Sequence, residues 1–540
     1  MPAKKQSLLL LVFFYWVGLF SSIGGAGVYE AWVARYNGPV NGTDFARGLA
    51  LDSSGSVYVT GFSRRGDFTF DYLTVKYSPS GETVWTRTYS GPSNDLDAAE
   101  ALVLDDNGNL YVTGHSTGLG SSFDYSTIKY SPAGDTFWVR RYDGPGSSFD
   151  YATFILVDDS GQVYVTGHSL GSETLYDFAT IKYAPSGETL WVRRYNGSGN
   201  GDDQASALSI DDSGNVYVTG SSWEGSVRSD FCTIKYSSAG ETLWVRKYNG
   251  AGNGDDRATA IKVDSSGQVH VTGSNWNGSS FDITTIKYSP SGDTLWVRIF
   301  NDSADLDEQA SALALDDSGN VYVTGTKQGA FGNNDYLLLK YSPSGNLVWL
   351  RSYNGPADSE DVPQALAIDP GGNVYVTGYS EGGSSSSDYA TVKYSPLGQL
   401  LWVKRYNGPG NAVDEAYALA LDTSGNLYVT GRSFGTNTSY DFTTIKYSPC
   451  DSASPLAGDA NAGGTITLSD IIAAINYIFN KPGCSPLPLC WLSGQSCRGD
   501  WNGDKSVTLS DVIWGVNYIF NKPGGPWSPV ASGVCCPATP

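Results

Sequence analysis

The residues best suited to chemistry lie near the C-terminal end of the chain. Asp500, Asn502 and Asp504 alternate, Ser506 and Thr508 continue the spacing, and Asp511 closes a loop of twelve residues. Side-chain oxygens of the first three can converge on a hard cation. Ser506 can add a backbone carbonyl, Thr508 can bind directly or through water, and Asp511 can bind from the start of a helix. Oxygen donors at alternating positions suit Ca2+. An earlier segment repeats the pattern with Asp459, Asn461, Thr465, Thr467 and Asp470. There Gly463 stands where a third side-chain oxygen is expected, which predicts weak or absent calcium. In the second loop Lys505 replaces the glycine usual at the sharp bend.

Each loop leads into an amphipathic stretch. The run from Leu468 to Gly483 is copied 41 residues later from Leu509 to Gly524, and the second amphipathic stretch ends before Pro523. This duplicated unit, residues 457–524, resembles a type I dockerin. The resemblance implies a small α-helical calcium-loop domain that docks on a cohesin-like scaffold or cell-surface protein. Its docking positions fall on Leu468, Ser469, Ile475 and Asn476, and on Leu509, Ser510, Val516 and Asn517. Ile475 and Val516 stand where cellulosomal dockerins carry basic residues, so a different partner, or packing against the rest of the chain, is an alternative. A calcium-stiffened cap without a partner is another. Residues 450–456 read as a linker and 525–540 as a Cys- and Pro-rich tail. Six of the seven Cys fall at or after Cys450, which predicts disulfides in an exported protein. Without a CxxC pair or a nearby His, zinc is disfavoured. Cys232 stands alone and is expected to be buried.

The remainder of the chain offers no nucleophile motif. Its three His fit no H-E-x-x-H pattern, and neither a G-x-S-x-G elbow nor a phosphate-binding glycine loop occurs. Carboxylates remain, and they come in columns. Twelve residues after each of eight Trp stand Asp44, Asp97, Asp150, Asp203, Asp256, Glu308, Asp361 and Asp414. A second column runs Asp71, Asp124, Asp177, Asp230, Asp282, Asp335, Asp388 and Asp441, and a Lys column follows it from Lys76 to Lys446. Such columns could ring a channel with calcium or substrate ligands. A contact made once per repeat is better explained as scaffold: each Asp caps a loop or pairs with a Lys or a backbone amide.

A repeat must position these columns. VYVTG recurs with glycines at 61, 114, 167, 220, 273, 325, 378 and 431, in steps of 53 residues with one of 52. The Trp of W-V-R-Y recurs at the same step from Trp32 to Trp402. Each unit reads as four short strands separated by Gly, Asn, Asp and Ser, with no helical period. Eight such units predict an all-β, eight-bladed β-propeller over residues 28–449. The last repeat stops at Ser448-Pro449 before any W-V-R-Y strand, and the strand around Trp32 precedes the first full unit. The N-terminal strand is therefore expected to complete the last blade.

The phrases D-x-S-G-N-V-Y-V-T-G, D-Y-x-T-I-K-Y-S-P-x-G and W-V-R-Y resemble the secreted bacterial propeller repeats called SBBP. That family name implies seven blades; eight is the count in this chain. Specificity is expected where the units differ, in the second-to-third connections on one face. Candidate ligand residues there are Arg64, Trp223, Trp276 and Phe331, with His115 and His168 nearby. The two Trp could stack on sugars or simply pack. The triplet Arg65-Gly66-Asp67 is of a kind that arises by chance.

A net charge of −21 argues against a nucleic-acid partner. Lys4 and Lys5, the apolar run from Leu8 to Phe20 and the small residues that follow predict a signal peptide over residues 1–27, with no membrane span after its cleavage. The expectation is a secreted protein, attached to a surface through its C-terminal module, whose propeller binds a polysaccharide or a protein. The alternatives are a polysaccharide-degrading hydrolase or lyase using channel carboxylates, and a structural or adhesion protein.

Overall fold

The computed structural model describes residues 28–449, apart from 67–68, 226–227, 303, 330–331 and 384–385. The expected signal peptide, linker, calcium-loop module and tail lie outside the described residues, as does Phe331. Val28–Pro449 form one compact unit. Among the described residues every regular element is a strand, and no helix is long and apolar enough to cross a membrane.

The strands form eight four-stranded antiparallel sheets, each built of consecutive strands except one. In blade 1 the order is Asp44–Leu51 (inner), Val57–Arg64 (second), Phe70–Tyr77 (third) and Thr83–Tyr89 (outer). Blades 2 to 7 begin their inner strands at Asp97, Asp150, Gln204, Arg257, Glu308 and Asp361. Blade 8 joins Asp414–Leu421, Leu427–Phe434 and Tyr440–Pro449 to the N-terminal strand Val28–Tyr36. Val28 pairs with Pro449 and Tyr36 with Phe442, so the two ends of the unit close the ring as expected. Each inner strand touches the inner strand of the next blade, and those of blades 8 and 1 touch as well, enclosing a central channel.

Apolar residues from adjacent blades fill the joints. One such core combines Tyr111, Tyr125 and Trp138 of blade 2 with Val163, Val165 and Ile181 of blade 3. Burying one such side chain contributes roughly 1.5–3 kcal/mol. The outer-strand Trp locks the joint: Trp85 Nε1 donates to the Pro132 carbonyl (3.1 Å), and Arg87 Nε to that of Gly134 (2.7 Å). The Trp85 ring also lies 3.0 Å from where a Cβ on Gly134 would be, and Gly134 has φ +87°. That turn position therefore requires glycine. Trp32 makes the same bond to Pro79 across the closure, at 3.0 Å. Trp402 is the exception: its Nε1 is buried without a partner. The third strand of blade 8 runs on to Pro449 instead of turning, because its outer strand comes from the other end of the chain.

The second strands are longer than the sequence suggests. Ladder pairing continues past the signature glycine to Arg64–Phe70, Trp223–Ser229 and Trp276–Phe281. Residues expected in loops (Arg64, His115, His168, Trp223, Trp276) therefore sit on strand ends. In most blades the unbroken run of buried residues stops at the glycine, but backbone pairing does not.

Candidate functional site

The feature that most directs side chains toward the channel is a β-bulge in every inner strand. Register slips between Ala46 and Gly48, and the slip recurs in all eight blades, leaving Arg47, Glu100, Thr153, Ser206, Thr259, Ser311, Gln364 and Tyr417 unpaired. A bulge re-aims the extra residue. It also explains the signature glycine: a Cβ on Gly61 would lie 1.8 Å from the Phe45 carbonyl oxygen. The bulge residues of neighbouring blades meet. The Arg47 guanidinium lies 5.3 Å from the Tyr417 ring and 3.7 Å from Glu100 Oε2, and Thr153 Oγ1 donates to the Ala205 carbonyl of the next blade (3.1 Å). These eight positions differ in size and charge, whereas the residues beside them are Ala or Gly apart from Phe154 and Pro363.

The acidic columns serve the scaffold. Asp44 is fully buried and accepts from the Gly38 amide (2.7 Å) and the Ser63 hydroxyl (2.5 Å). Burial raises its pKa to about 6 against the opposing effect of those bonds. Asp203 and Asp256 take the Gly197 and Gly250 amides, each at 2.6 Å. Four members of the second column pair with arginines of the outer strand: Asp441 with Arg35, Asp124 with Arg141, Asp177 with Arg194 and Asp388 with Arg405, at 2.6–2.9 Å. The Lys column turns elsewhere. Lys129 lies over the Tyr111 ring (4.8 Å) and donates to the Pro185 carbonyl of the next blade (3.4 Å). Grooves between blades on the tight-turn face, one of about 470 Å3 lined by Asp316, Tyr322, Lys340 and Asp369, consist of these scaffold residues.

The fourth-to-first and second-to-third connections share the other face; Thr117 N bonds Leu96 O and Leu170 N bonds Phe149 O. Here the blades are unequal. In blades 2 and 3, His115, Phe123, Phe149, Tyr151, His168 and Tyr176 form one array with ring centroids 4.8–6.3 Å apart. A depression of about 250 Å3 opens beside it, lined by Glu100, His115, Tyr151, Ala152, Thr153 and His168. In blades 8 and 1, Phe45, Phe62, Phe70 and Tyr440 form a second array at 5.0–5.8 Å, with Arg432 stacked 4.5 Å from both Phe45 and Tyr440 and held by Glu415 at 2.6 Å. Arg47 and Glu100 join the two arrays. The matching places in blades 4 to 6 hold Gln204 and Ser221, Arg257 and Ser274, and Gln309 and Thr326.

Burial dominates the electrostatics of the mouth. It lowers the pKa of His115 to about 4, helped by the charges of His168 and Arg47, and that of His168 also to about 4. Both imidazoles are neutral at physiological pH, and the Nδ1 of each has no hydrogen-bond partner. Burial raises the Glu100 carboxyl, against the Arg47 charge. Arg47 Nε is also buried and unpartnered. A separation of 3.7 Å from Glu100 is too long for a hydrogen bond but suits a bridging hydroxyl.

The residues singled out in the sequence are dispersed. Trp223 and Trp276 end the second strands of blades 4 and 5, and their amides donate to Asp203 and Asp256 at 2.8 Å. Each ring lies against a glycine-rich connection; a Cβ on Gly201 or Gly254 would come within 2.3 Å of it. Arg64 ends the second strand of blade 1, its amide bonded to the Thr43 carbonyl (3.0 Å). Arg65 bonds Asn94 Oδ1 at 2.5 Å and Ser90 Oγ at 3.1 Å, and Asp67 lies outside the described residues. The bulge residues and, apart from His115 and His168, the aromatic arrays went unnoticed in the sequence, although one variable column within the inner strand marks the bulge.

The family profile described as Beta-propeller repeat (SBBP) matches residues 190–226 and 401–437. Each match starts in an outer strand and runs through the second strand of the next blade. An uncharacterized WD repeat-containing protein of Acanthamoeba polyphaga mimivirus is 23% identical over 490 residues, 76% of this chain and 32% of that protein. The regulatory protein FlaEY of Caulobacter vibrioides is 34% identical over 116 residues, 19% of this chain and 12% of its own length. The chain thus spans about a third or less of these curated relatives. Among solved structures, Sqt1 from Chaetomium thermophilum aligns at 11% identity and TM-score 0.47, covering 78% of this chain and 99% of its own. An α-L-arabinofuranosidase of Fusarium graminearum aligns at 10% and TM-score 0.34, covering 54% and 91%. Neither likeness carries a functional assignment. The two matched segments are similar to β-propeller repeats of the SBBP type.

Proposed function

We propose that the propeller is an extracellular binding module that takes a polysaccharide at the channel mouth between blades 8 and 3. The observation that carries this reading is the gathering of two joined aromatic arrays with Arg47, Glu100 and Arg432 into one sector of the ring, where the matching ladder pairs of blades 4 to 6 hold Gln, Ser, Thr and one Arg. Sugar rings offer apolar faces to Tyr151, Phe149 and Phe45, and hydroxyls to Arg47, Glu100 and the neutral imidazoles. Affinity electrophoresis in gels cast with soluble polysaccharides tests it. Retardation of the wild-type chain, weakened at least tenfold in Tyr151→Ala and unchanged in Gln309→Ala on the opposite sector, supports the site. Equal retardation of both variants, or binding to a protein and to no glycan, overturns it.

In the same proposal the C-terminal module binds Ca2+ through Asp500, Asn502, Asp504, Ser506, Thr508 and Asp511 and tethers the exported protein to a cohesin-like surface partner. Calcium-dependent capture of a surface protein should be lost in Asp500→Ala/Asp511→Ala; unchanged capture counts against the tether. The enzymatic alternative predicts breakdown products in the same gels. The engagement of most of the repeated carboxylates by amides, hydroxyls and arginines favours binding over hydrolysis, with Glu308 an exception.

A further inference from the structure

On the mouth side, each blade joint brings together a carboxylate from the start of one third strand and one from the next inner strand. Asp71 raises the pKa of Asp97, Asp177 that of Asp203 and Asp388 that of Asp414, in each case as a minor contribution beside burial. At the joint of blades 2 and 3 a third carboxylate is added. Asp143 stands where the other connections carry Asn37, Ser90, Asn196, Asn249, Asn301, Asn354 and Asn407. One ligand oxygen from each of Asp124, Asp143 and Asp150 lies within 4.8 Å of the other two.

Two of the three are deeply buried: Asp150 is 0% exposed and Asp124 is 5% exposed. Their Oδ2 atoms are engaged, by the Gly144 amide and by Arg141, each at 2.7 Å. Their Oδ1 atoms are buried without a hydrogen-bond partner. The Ser169 hydroxyl beside Asp150 accepts from Arg194, which itself pairs with Asp177 at 2.6 Å, and keeps its own proton to turn toward Asp150. Three carboxylates thus face two guanidiniums, those of Arg141 and Arg194, and Arg194 is already paired with Asp177. Buried, unpartnered carboxylate oxygens are costly unless a proton or a cation meets them. Two facing carboxylates can share a proton; three oxygens converging from two blades and a loop suit a hard cation.

We propose that Asp124, Asp143 and Asp150 hold a Ca2+ ion at the joint of blades 2 and 3. The ion fastens both ends of the 143–149 connection, which carries Phe149 and delivers Tyr151 to the mouth. It thereby couples calcium to the order of that aromatic array. The site is separate from the C-terminal loops, and its test uses no ligand of the propeller, so its failure would leave the reading of the mouth untouched.

The test is ion stoichiometry by equilibrium dialysis of the full chain with radioactive Ca2+ at about 5 mM, above the usual range of extracellular sites. Asp143→Asn introduces the residue that most other connections carry, so the fold is retained, and near-UV circular dichroism verifies this. The variant should bind one ion fewer than wild type and lose the part of the calcium-induced rise in Tm that wild type shows for propeller unfolding. Equal stoichiometry in the two proteins overturns the proposal, whatever the C-terminal loops bind.

Discussion

Replacing Glu308 by Gln should stabilise the protein at alkaline pH and leave its stability unchanged in acid. In the first acidic column the buried Asp relies on a glycine amide six residues before it and a Ser hydroxyl on the second strand, as Asp44 does with Gly38 and Ser63. Blade 6 lacks both. Asp302 occupies the glycine position and Lys327 the serine position, and these two pair with each other at 2.8 Å. Glu308 is 0% exposed, and neither of its oxygens makes a well-formed hydrogen bond. Burial, reinforced by the Asp302 charge, lifts its carboxyl from 4.5 to about 8.

The folded state therefore keeps a proton that the unfolded chain releases. This contribution to stability is full below about pH 4.5 and is lost as pH rises through about 8. The gap corresponds to a ceiling of about 5 kcal/mol. Relaxation and the nearby Lys327 reduce that, and about 2–4 kcal/mol is expected at pH 9. Urea unfolding followed by Trp fluorescence between pH 4.5 and 9 measures the difference between E308Q and wild type. Asp44, Asp230, Asp282 and Asp335, all raised to about 6, titrate in both proteins and cancel. A difference that stays flat with pH, or grows toward acid, refutes the reasoning.

Other tests bear on the mouth and the scaffold. His115 and His168 have folded pKa values of about 4, below the ordinary 6.5, so stability should fall as pH drops from about 6.5 to 4; His115→Phe/His168→Phe should remove about 1–3 kcal/mol of that loss, and an unchanged acid limb speaks against buried neutral imidazoles. Gly220→Ala would set a Cβ about 2.0 Å from the Gln204 carbonyl and should cost more than 3 kcal/mol in chemical denaturation, or prevent folding; a loss under 1 kcal/mol would mean the bulge relaxes freely. Closure by Val28–Tyr36 has no covalent turn to its partner strand, so in hydrogen-exchange mass spectrometry this strand should exchange ahead of Thr189–Tyr195, the outer strand of blade 3; equal protection would contradict that order.

Much of the scaffold was legible because its signals are periodic. The glycine and Trp columns counted the blades, and the unmatched strand at each end indicated how the ring closes. The Asp columns were legible as structure because eight equal copies suit a scaffold. What went unread depends on backbone geometry. The length of the second strands was underestimated because pairing outlasts the fully buried V-Y-V-T-G run. Arg47, Glu100 and Tyr417 escaped attention because the bulge that aims them shows in the sequence only as a variable column inside a strand, and the variable positions were sought in loops. Asp143 reads as one substitution in an Asn column until the fold sets it beside Asp124 and Asp150.

By itself the sequence determined the class of fold, the number of blades and the join that closes them, because each follows from local patterns of residue type repeated along the chain. Only the tertiary structure decided which variable residues meet. Packing brings positions some 50 residues apart to within a few ångströms, as with Arg47 and Glu100. It also decides which carboxylates lose solvent, and burial of that kind separates Glu308 from the aspartates of its own column.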